Sequence, residues 1–251
     1  MKQHMFTEQR HEKILHLLNE RGSITVGELT TLLDSSESTI RRDLNTLDNA
    51  GKLTKVFGGA VAKDAVYSTT ELSVSQKENV NSDEKQRIAR YAATLVEPED
   101  FVYIDAGTTT ECMIDFLTEK RATYVTNAVT HARKLAVSGF RVILIGGELK
   151  GITEAVVGNQ AVISLEKMNS NKGFFGANGI SQKRGYTTPD ISEALVKETA
   201  FKHCQNRYVL ADSEKLGRIS SVTFGDINDA VIITDNNNKG TFAGLDNIIW
   251  L

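Results

Sequence analysis

From Phe101 onward, short apolar runs alternate with amphipathic stretches, and this alternation restricts the fold more than any other feature of the chain. Phe101-Val102-Tyr103-Ile104-Asp105, Thr123 to Thr126 and Arg141-Val142-Ile143-Leu144-Ile145 read as strands. The last is a near-continuous apolar run, as in a strand buried on both faces. Further strands are expected at Lys172 to Gly176, Arg207 to Ala211 and Ala230 to Thr234. Helical patterns lie between them: Ser82 to Val96, a helix through Met113, Ile114, Phe116 and Leu117 after a loop over Ala106 to Thr110, Ala128 to Ser138, and Ile191 to His203. Such alternation predicts an α/β domain with an open, mostly parallel sheet covered by helices.

Earlier in the chain the pattern is purely helical. Ile14, Leu15, Leu17 and Leu18 form an apolar stripe on a helix from Thr7 to Glu20, which Gly22 stops. Val26, Leu29, Leu32 and Leu33 mark a second helix. A third is capped by Ser36 or Ser38, carries Ile40, Leu44 and Leu47 on one face, and stops at Gly51. Lys52 to Val56 reads as a strand, with Gly58-Gly59 turning into Ala60-Val61. Three helices and a hairpin make a winged helix-turn-helix. The 251 residues therefore divide into a winged helix-turn-helix over 1–62, a polar linker over 63–81 with a short strand at Glu71 to Val74, and an α/β domain over 82–251. No internal repeat is evident.

Composition excludes several classes. Forty per cent hydrophobic and 24% charged residues suit a globular chain and not a collagen or an acidic disordered tail. Cys112 and Cys204 are too few for a disulfide framework and fit a reducing cytoplasm. Residues 1–13 lack the apolar core of a signal peptide, and no run approaches the roughly 18 apolar residues of a membrane span. A net charge of −3 argues weakly against nucleic acid. Residues 38–63, however, hold five basic side chains against two acidic ones, a local +3.

That positive charge sits on the third helix and the hairpin. Ser38, Arg41, Arg42 and Asn45 fall at i, i+3, i+4 and i+7, opposite Ile40, Leu44 and Leu47. Arg can fork onto guanine, Asn can pair with adenine, and Ser36, Ser38 or Thr39 can reach phosphates or bases. Lys52 and Lys55 on the hairpin would neutralise adjacent phosphates. The alternative is a solvated charged face on a small helical cap. Asp43 is expected to brace a neighbouring arginine or cap the packing, and not to touch DNA. His11 and His16 are off one helical face, so surface or packing roles are expected and no metal site.

A second group of polar residues lies at strand ends. Asp105-Ala106-Gly107-Thr108-Thr109-Thr110 follows a buried strand and opens a helix, where free N–H groups and the helix dipole favour an anion such as phosphate. The alternative is an ordinary strand-to-helix turn with threonine capping. Thr126-Asn127, Gly146-Gly147, Asn178-Gly179, and Asp212 with Lys215 also sit at predicted strand ends, where parallel sheets bind ligands. Lys215 either pairs with a phosphate or is a solvent-exposed loop lysine. Lys197 either reaches into the same crevice or pairs on the surface with Glu193 at i, i+4. Neither a Walker A motif nor GxGxxG is present, so no nucleotide or other cofactor is expected.

Ser36-Glu37-Ser38-Thr39-Ile40-Arg41-Arg42-Asp43-Leu44, then Gly51-Lys52-Leu53 and Gly58-Gly59-Ala60, resemble the N-terminal domain of the DeoR family of bacterial transcription regulators. The resemblance implies a helix-turn-helix near Ile24 to Asp43. It extends to about residue 234 through Asp105 to Thr109, Thr126-Asn127, Gly146-Gly147, Gly176 to Ile180, Glu193 to Lys197 and Ala211 to Gly217. The family's effector domain is similar to ribose-5-phosphate isomerases, whose Asp-Gly-Ala-Asp segment supplies catalytic acids. Here those positions read Phe175-Gly176-Ala177-Asn178, and neither phenylalanine nor an amide is a general acid or base. No catalytic residues are therefore expected. Glu214 stands where the family more often has serine.

Within the family, Tyr103 to Glu111, Gly173 to Ser181 and Tyr186 to Asp190 resemble regulators of fructose-utilisation operons. The resemblance implies a repressor of such an operon, relieved by fructose 1-phosphate and bound to double-stranded operator DNA as a dimer or tetramer. The alternative is a sugar-phosphate isomerase carrying an accessory DNA-binding domain, with Glu193 or Glu198 as base.

Overall fold

The computed structural model describes residues 6–21, 23–56, 58–62, 67–68, 73–235, 242 and 244–251, with side chains for all of these except 19–21, 23, 56, 61–62 and 67–68. Two compact units are formed, residues 1–66 and 67–251.

The first unit runs α1 (Thr7–Arg21), β1 (Ser23–Thr25), α2 (Val26–Leu33), α3 (Glu37–Asn49), β2 (Leu53–Val56) and β3 (Gly59–Ala62). Gly22 and Lys63 lie outside the described residues. Thr25 starts α2 with a capping box to Glu28. Of the two candidate caps for α3 the hydroxyl of Ser36 is the one used, accepting from Thr39 N–H. Ile14, Leu18, Leu29, Ile40, Leu44, Leu47 and Leu53 close one core. Antiparallel β1 joins the hairpin in the order β1-β3-β2. Gly58 turns the chain with φ +83°, and a Cβ on Gly59 would stand 2.3 Å from the Ile24 carbonyl, so both positions need glycine.

In the second unit, β4 (Tyr67–Ser68) and α4 (Val74–Glu78) lie inside the stretch expected as linker. Of the strand expected at Glu71 to Val74, Glu71 and Leu72 lie outside the described residues. Ser73 instead caps α4 through a capping box with Gln76. There follow α5 (Ser82–Ala93), β5 (Phe101–Ile104), α6 (Thr108–Ile114), β6 (Thr123–Thr126), α7 (Val129–Val137), β7 (Arg141–Leu144), β8 (Glu148–Lys150), β9 (Ala155–Val157) and α8 (Asn159–Leu165). The chain continues through β10 (Ser170–Gly176), β11 (Gly179–Ser181), β12 (Gly185–Thr188), α9 (Ile191–Lys202), β13 (Cys204–Leu210), a short 3₁₀ turn at Ser213–Lys215, β14 (Ile219–Ser220), β15 (Val222–Gly225), β16 (Val231–Thr234) and β17 (Ile248–Trp250).

Seven parallel strands form the central sheet in the order β17-β16-β13-β10-β5-β6-β7. Alternate residues feed two cores. Tyr103, Val125, Phe175, Val209 and Ile232 pack on one face, and Val102, Ile104, Tyr124, Phe174 and Leu210 on the other. Arg141 to Ile145 departs from expectation. As the edge strand it is half-buried, and Leu144 is 43% exposed, because an edge has one neighbour and β7 is covered only in part. Chain order reverses between β5 and β10, so their carboxyl ends flank the crevice of a doubly wound sheet.

Candidate functional site

Two surfaces gather the polar residues singled out in the sequence, one in each unit. On α3, Ile40, Asp43, Leu44 and Leu47 face inward, while Ser38, Arg41, Arg42 and Asn45 are exposed. Ser36 is exposed at the helix start, Thr39 is half-buried, and Lys52 and Lys55 are exposed on the hairpin. Arg41 pairs with Glu37 one turn earlier at 2.6 Å, both in solvent. Such a pair holds little energy and yields readily to a phosphate or a base. Lys55 N–H donates to Asp48 Oδ1 at 3.0 Å, tying the hairpin to the end of α3.

Asp43 anchors the helix from behind. Its Oδ1 accepts from Arg10 Nη2 at 3.1 Å and lies 3.0 Å from His11 Nε2, so it braces an arginine of α1. Burial works to raise the carboxyl, but the hydrogen bonds and charges of Arg10 and His11 outweigh it and hold Asp43 below the usual carboxylate range. His11 therefore has a packing role. Among the described residues no cluster of three or more His, Cys, Asp or Glu side chains could hold a metal ion.

In the second unit a cleft of about 110 Å³ opens at the switch point. That is several times the ~10–15 Å³ one water needs. It is lined from the end of β5 by Gly107, Thr108 and Thr109, from the end of β10 by Gly176 and Asn178, and from the end of β13 by Asp212 and Lys215. Lys197 reaches in from α9, Lys85 from α5, and Val74, Lys77 and Val80 from α4 and the residues after it.

Several other strand-end residues lie outside the lining. Asp105 is fully buried behind the cleft. Its Oδ2 accepts from Gly176 N–H at 3.1 Å and from the Lys197 ammonium, while Oδ1 has no partner among the described residues. Burial pushes its carboxyl up, against the charge of Lys197. No side chain caps α6, which starts after Gly107; Thr110, within its first turn, donates to the carbonyls of Asp105 and Gly107 at 2.7 and 2.8 Å and braces the loop. Asn127 supports the threonine loop at one remove, accepting from Ala106 N–H at 2.8 Å. Thr126 accepts from Ala128 N–H. Gly146 and Gly147 follow β7, two strands from the crevice, about 10 Å away at the usual interstrand spacing. A Cβ on Gly147 would meet the Val157 carbonyl at 2.5 Å, so this glycine admits β9. Gly179 likewise admits the Arg218 backbone.

Lys197 and Glu193 do not pair with each other. Glu193 accepts from Lys150 at 2.8 Å and Thr153 at 2.7 Å. Glu198 pairs with Lys202 in solvent. Phe175, at the position of an isomerase acid, packs 5.4 Å from Tyr103 and 5.0 Å from Phe201, as part of the core. Of the two α9 carboxylates considered as a base, Glu193 lines the cleft but is engaged by Lys150 and Thr153, and Glu198 is not among the lining residues.

Lys85 was not singled out in the sequence. It is 4% exposed, and its ammonium donates to the Lys77 carbonyl. Burial lowers its pKa, with Asp212 acting to raise it and Lys215 to lower it. Its only prior signal is a lysine one turn into an amphipathic helix, on the side of Ile88, Ala89 and Ala92. His131, also missed, is 2% exposed beside the Gly107 backbone, and burial lowers its pKa from 6.5 to about 3.

Residues 10–66 match the DeoR-like helix-turn-helix domain and residues 80–236 the DeoR C terminal sensor domain. The chain is 40% identical over 239 residues to an uncharacterized HTH-type transcriptional regulator FruR of Bacillus subtilis, covering 95% of this chain and 94% of the relative. It is 34% identical over 228 residues to a lactose phosphotransferase system repressor of Staphylococcus aureus, covering 90% of each. Ribose 5-phosphate isomerase A of Methanocaldococcus jannaschii superposes at TM-score 0.40 and 14% identity, covering 54% of this chain and 55% of that one. With both domains matched in order, the chain belongs to the DeoR family of transcription regulators.

Proposed function

We propose that the chain represses a sugar-utilisation operon, that of fructose, and is relieved by fructose 1-phosphate bound in the sensor cleft. The observation that carries this reading is the charge of the cleft. Lys77, Lys85, Lys197 and Lys215 line it against Glu193 and Asp212; Lys150 is shared by Glu193 and Asp190, and Asp105 pairs with Lys197 from behind, which leaves the lysines in excess by one. Such a site favours a dianionic phosphate, with Thr108 and Thr109 hydroxyls and the N–H groups of the loop as further donors. The fructose assignment rests on the motif resemblance over 103–111, 173–181 and 186–190. The word repressor in the names of the Staphylococcus relatives supports the sign of the regulation.

Arg41, Arg42 and Asn45 read double-stranded operator DNA in the major groove, and Lys52 and Lys55 hold the flanking backbone. One recognition helix reads too little sequence alone, so the protein works in the cytoplasm as a homodimer or homotetramer on repeated half-sites. Fructose 1-phosphate relieves repression by binding the DNA-incompetent arrangement more tightly.

Calorimetric titration tests the ligand. Fructose 1-phosphate is expected to bind, and Lys215→Ala to weaken it by about 10-fold or more, the loss of one charged hydrogen bond at roughly 1.5–3 kcal/mol. An absence of heat with fructose 1-phosphate, and equally with other hexose and pentose phosphates, would remove the effector assignment.

A further inference from the structure

Helix α4 borders the cleft without being part of the sheet scaffold. It has five residues and buries none of them. Three polar contacts secure it and its flanks. Val74 N–H donates to the Ile152 carbonyl at 3.2 Å, the Asn81 amide that follows donates to Asp212 Oδ1 at 3.2 Å, and the Lys85 ammonium donates to the Lys77 carbonyl. Two of these three end on cleft-lining groups, Asp212 and Lys85. Asn81, with φ +53°, forms a left-handed joint between α4 and α5. By chain connectivity, the chain leads from α4 back through β4, which pairs with β14 of the same unit, to the wing strand β3.

Lys85 is the telling member of this set. It is a buried cation in a ligand cleft, and no carboxylate pairs with it among the described residues. A neutral carbonyl is a weaker partner for an ammonium than a phosphate oxygen. An anion entering the cleft competes with Lys77 for the same protons. A short helix with no buried apolar face is also the kind of element that opens at little free-energy cost.

We propose that α4 is a strap latched by Lys85 at the cleft, and that an anionic effector unlatches it by taking the Lys85 ammonium from the Lys77 carbonyl. The released segment is the one that continues into the DNA-binding unit, so effector occupancy is passed to the reader through its tether. The inference rests on the effector reading given above, and the test separates the two.

The experiment is amide hydrogen exchange on the full-length protein, with and without saturating fructose 1-phosphate, following the peptides that cover 73–80 and 106–111. Binding is expected to slow exchange in 106–111 and to speed it in 73–80 by about tenfold or more. Lys85→Met, which keeps the stem and removes the charge, is expected to exchange fast over 73–80 with or without ligand. Ser73→Ala removes the α4 cap without touching the cleft, and is expected to do the same while still protecting 106–111 on binding. Protection of 106–111 with unchanged or slower exchange in 73–80 would overturn the strap and leave the effector reading standing. Slow exchange over 73–80 in both variants would overturn the latch. No protection of 106–111 by fructose 1-phosphate or by inorganic phosphate would bring down the effector reading and the strap with it.

Discussion

On the reading helix Arg41, Arg42 and Asn45 stand in solvent, whereas in the sensor cleft Lys85, Lys197 and Asp212 are 4%, 5% and 2% exposed. The exposed set lies on one rigid helix whose opposite face is a hydrophobic core. The buried set comes from α5, α9 and the end of β13, with Lys85 more than a hundred residues before the other two. A polyanion such as DNA is wide and is met by charges displayed outward, with its counterions released to water. A small anion is met by charges held out of water, where each is worth more and each must be paired when the ligand is absent. Asp105 with Lys197, Glu193 with Lys150, and Lys85 with a carbonyl are those resting partners. Among the described residues of the reader, Asp43 and Arg10 are held this way, and their pair supports the helix from behind.

The sharpest break in this comparison comes from removing a buried partner. Asp43→Ala removes the carboxylate that pairs with the Arg10 guanidinium, whose side chain is 9% exposed, and with His11. It should destabilise the reader by about 3–5 kcal/mol, seen as a separate low-temperature transition in a melt followed by circular dichroism. Arg41→Ala, on the exposed face of the same helix, should leave that melt unchanged.

Acid should divide the units next. His131 has its pKa lowered in the folded sensor from 6.5 to about 3, so its contribution is present above pH 6.5 and is lost as pH falls towards 3. At roughly 1.4 kcal/mol per pH unit, the sensor should lose about 2 kcal/mol between pH 6.5 and 5. Asp105 works the other way. Its raised pKa gives a contribution present below the usual carboxylate value and lost as pH rises through the folded one, so it offsets part of the loss. Asp43, with a lowered pKa, keeps its contribution until pH falls below about 3.8. Trp250, the single tryptophan, lies in the sensor. Its fluorescence should therefore report unfolding at higher pH than circular dichroism of the reader. His131→Gln should remove most of the sensor's dependence, and a sensor equally stable at pH 5 and 7 would show that His131 is not buried neutral.

Smaller effects test the exposed face. Arg42→Ala should lose about 1–3 kcal/mol of operator affinity at the base it contacts, read in a binding series over single-base operator variants. Lys55→Ala should weaken all sequences alike and lower the slope of log affinity against log salt by about one. A base-selective effect of Lys55→Ala would place the wing in a groove and not on the backbone.

The same contrast explains what the sequence disclosed. Period alone separates Arg41, Arg42 and Asn45 from Ile40, Leu44 and Leu47, because a helix maps its faces directly onto sequence spacing. The parallel sheet was legible from its apolar runs, except that β7 reads as buried and lies at an edge and that β17 went unread. Strand order is not written in a strand. Without it the residues after β5, β6, β7, β10 and β13 look equivalent, yet only those after β5, β10 and β13, on and beside the reversal, share a crevice. Asn127, Gly146 and Gly147 consequently serve the loop and the packing around it. Lys85, Thr153 and α4 were hidden for a related reason. Each enters the cleft from an element with its own ordinary pattern, and only the closed sheet brings them to the same place.

The central claim is that a sugar phosphate in the sensor governs the reader, and titrating the protein onto operator DNA at fixed salt with rising fructose 1-phosphate tests it most directly. Coupling of about 1–3 kcal/mol predicts a fall in operator affinity of roughly 5–150-fold, with unphosphorylated fructose without effect. Operator affinity that stays constant at fructose 1-phosphate concentrations saturating the cleft would contradict the account.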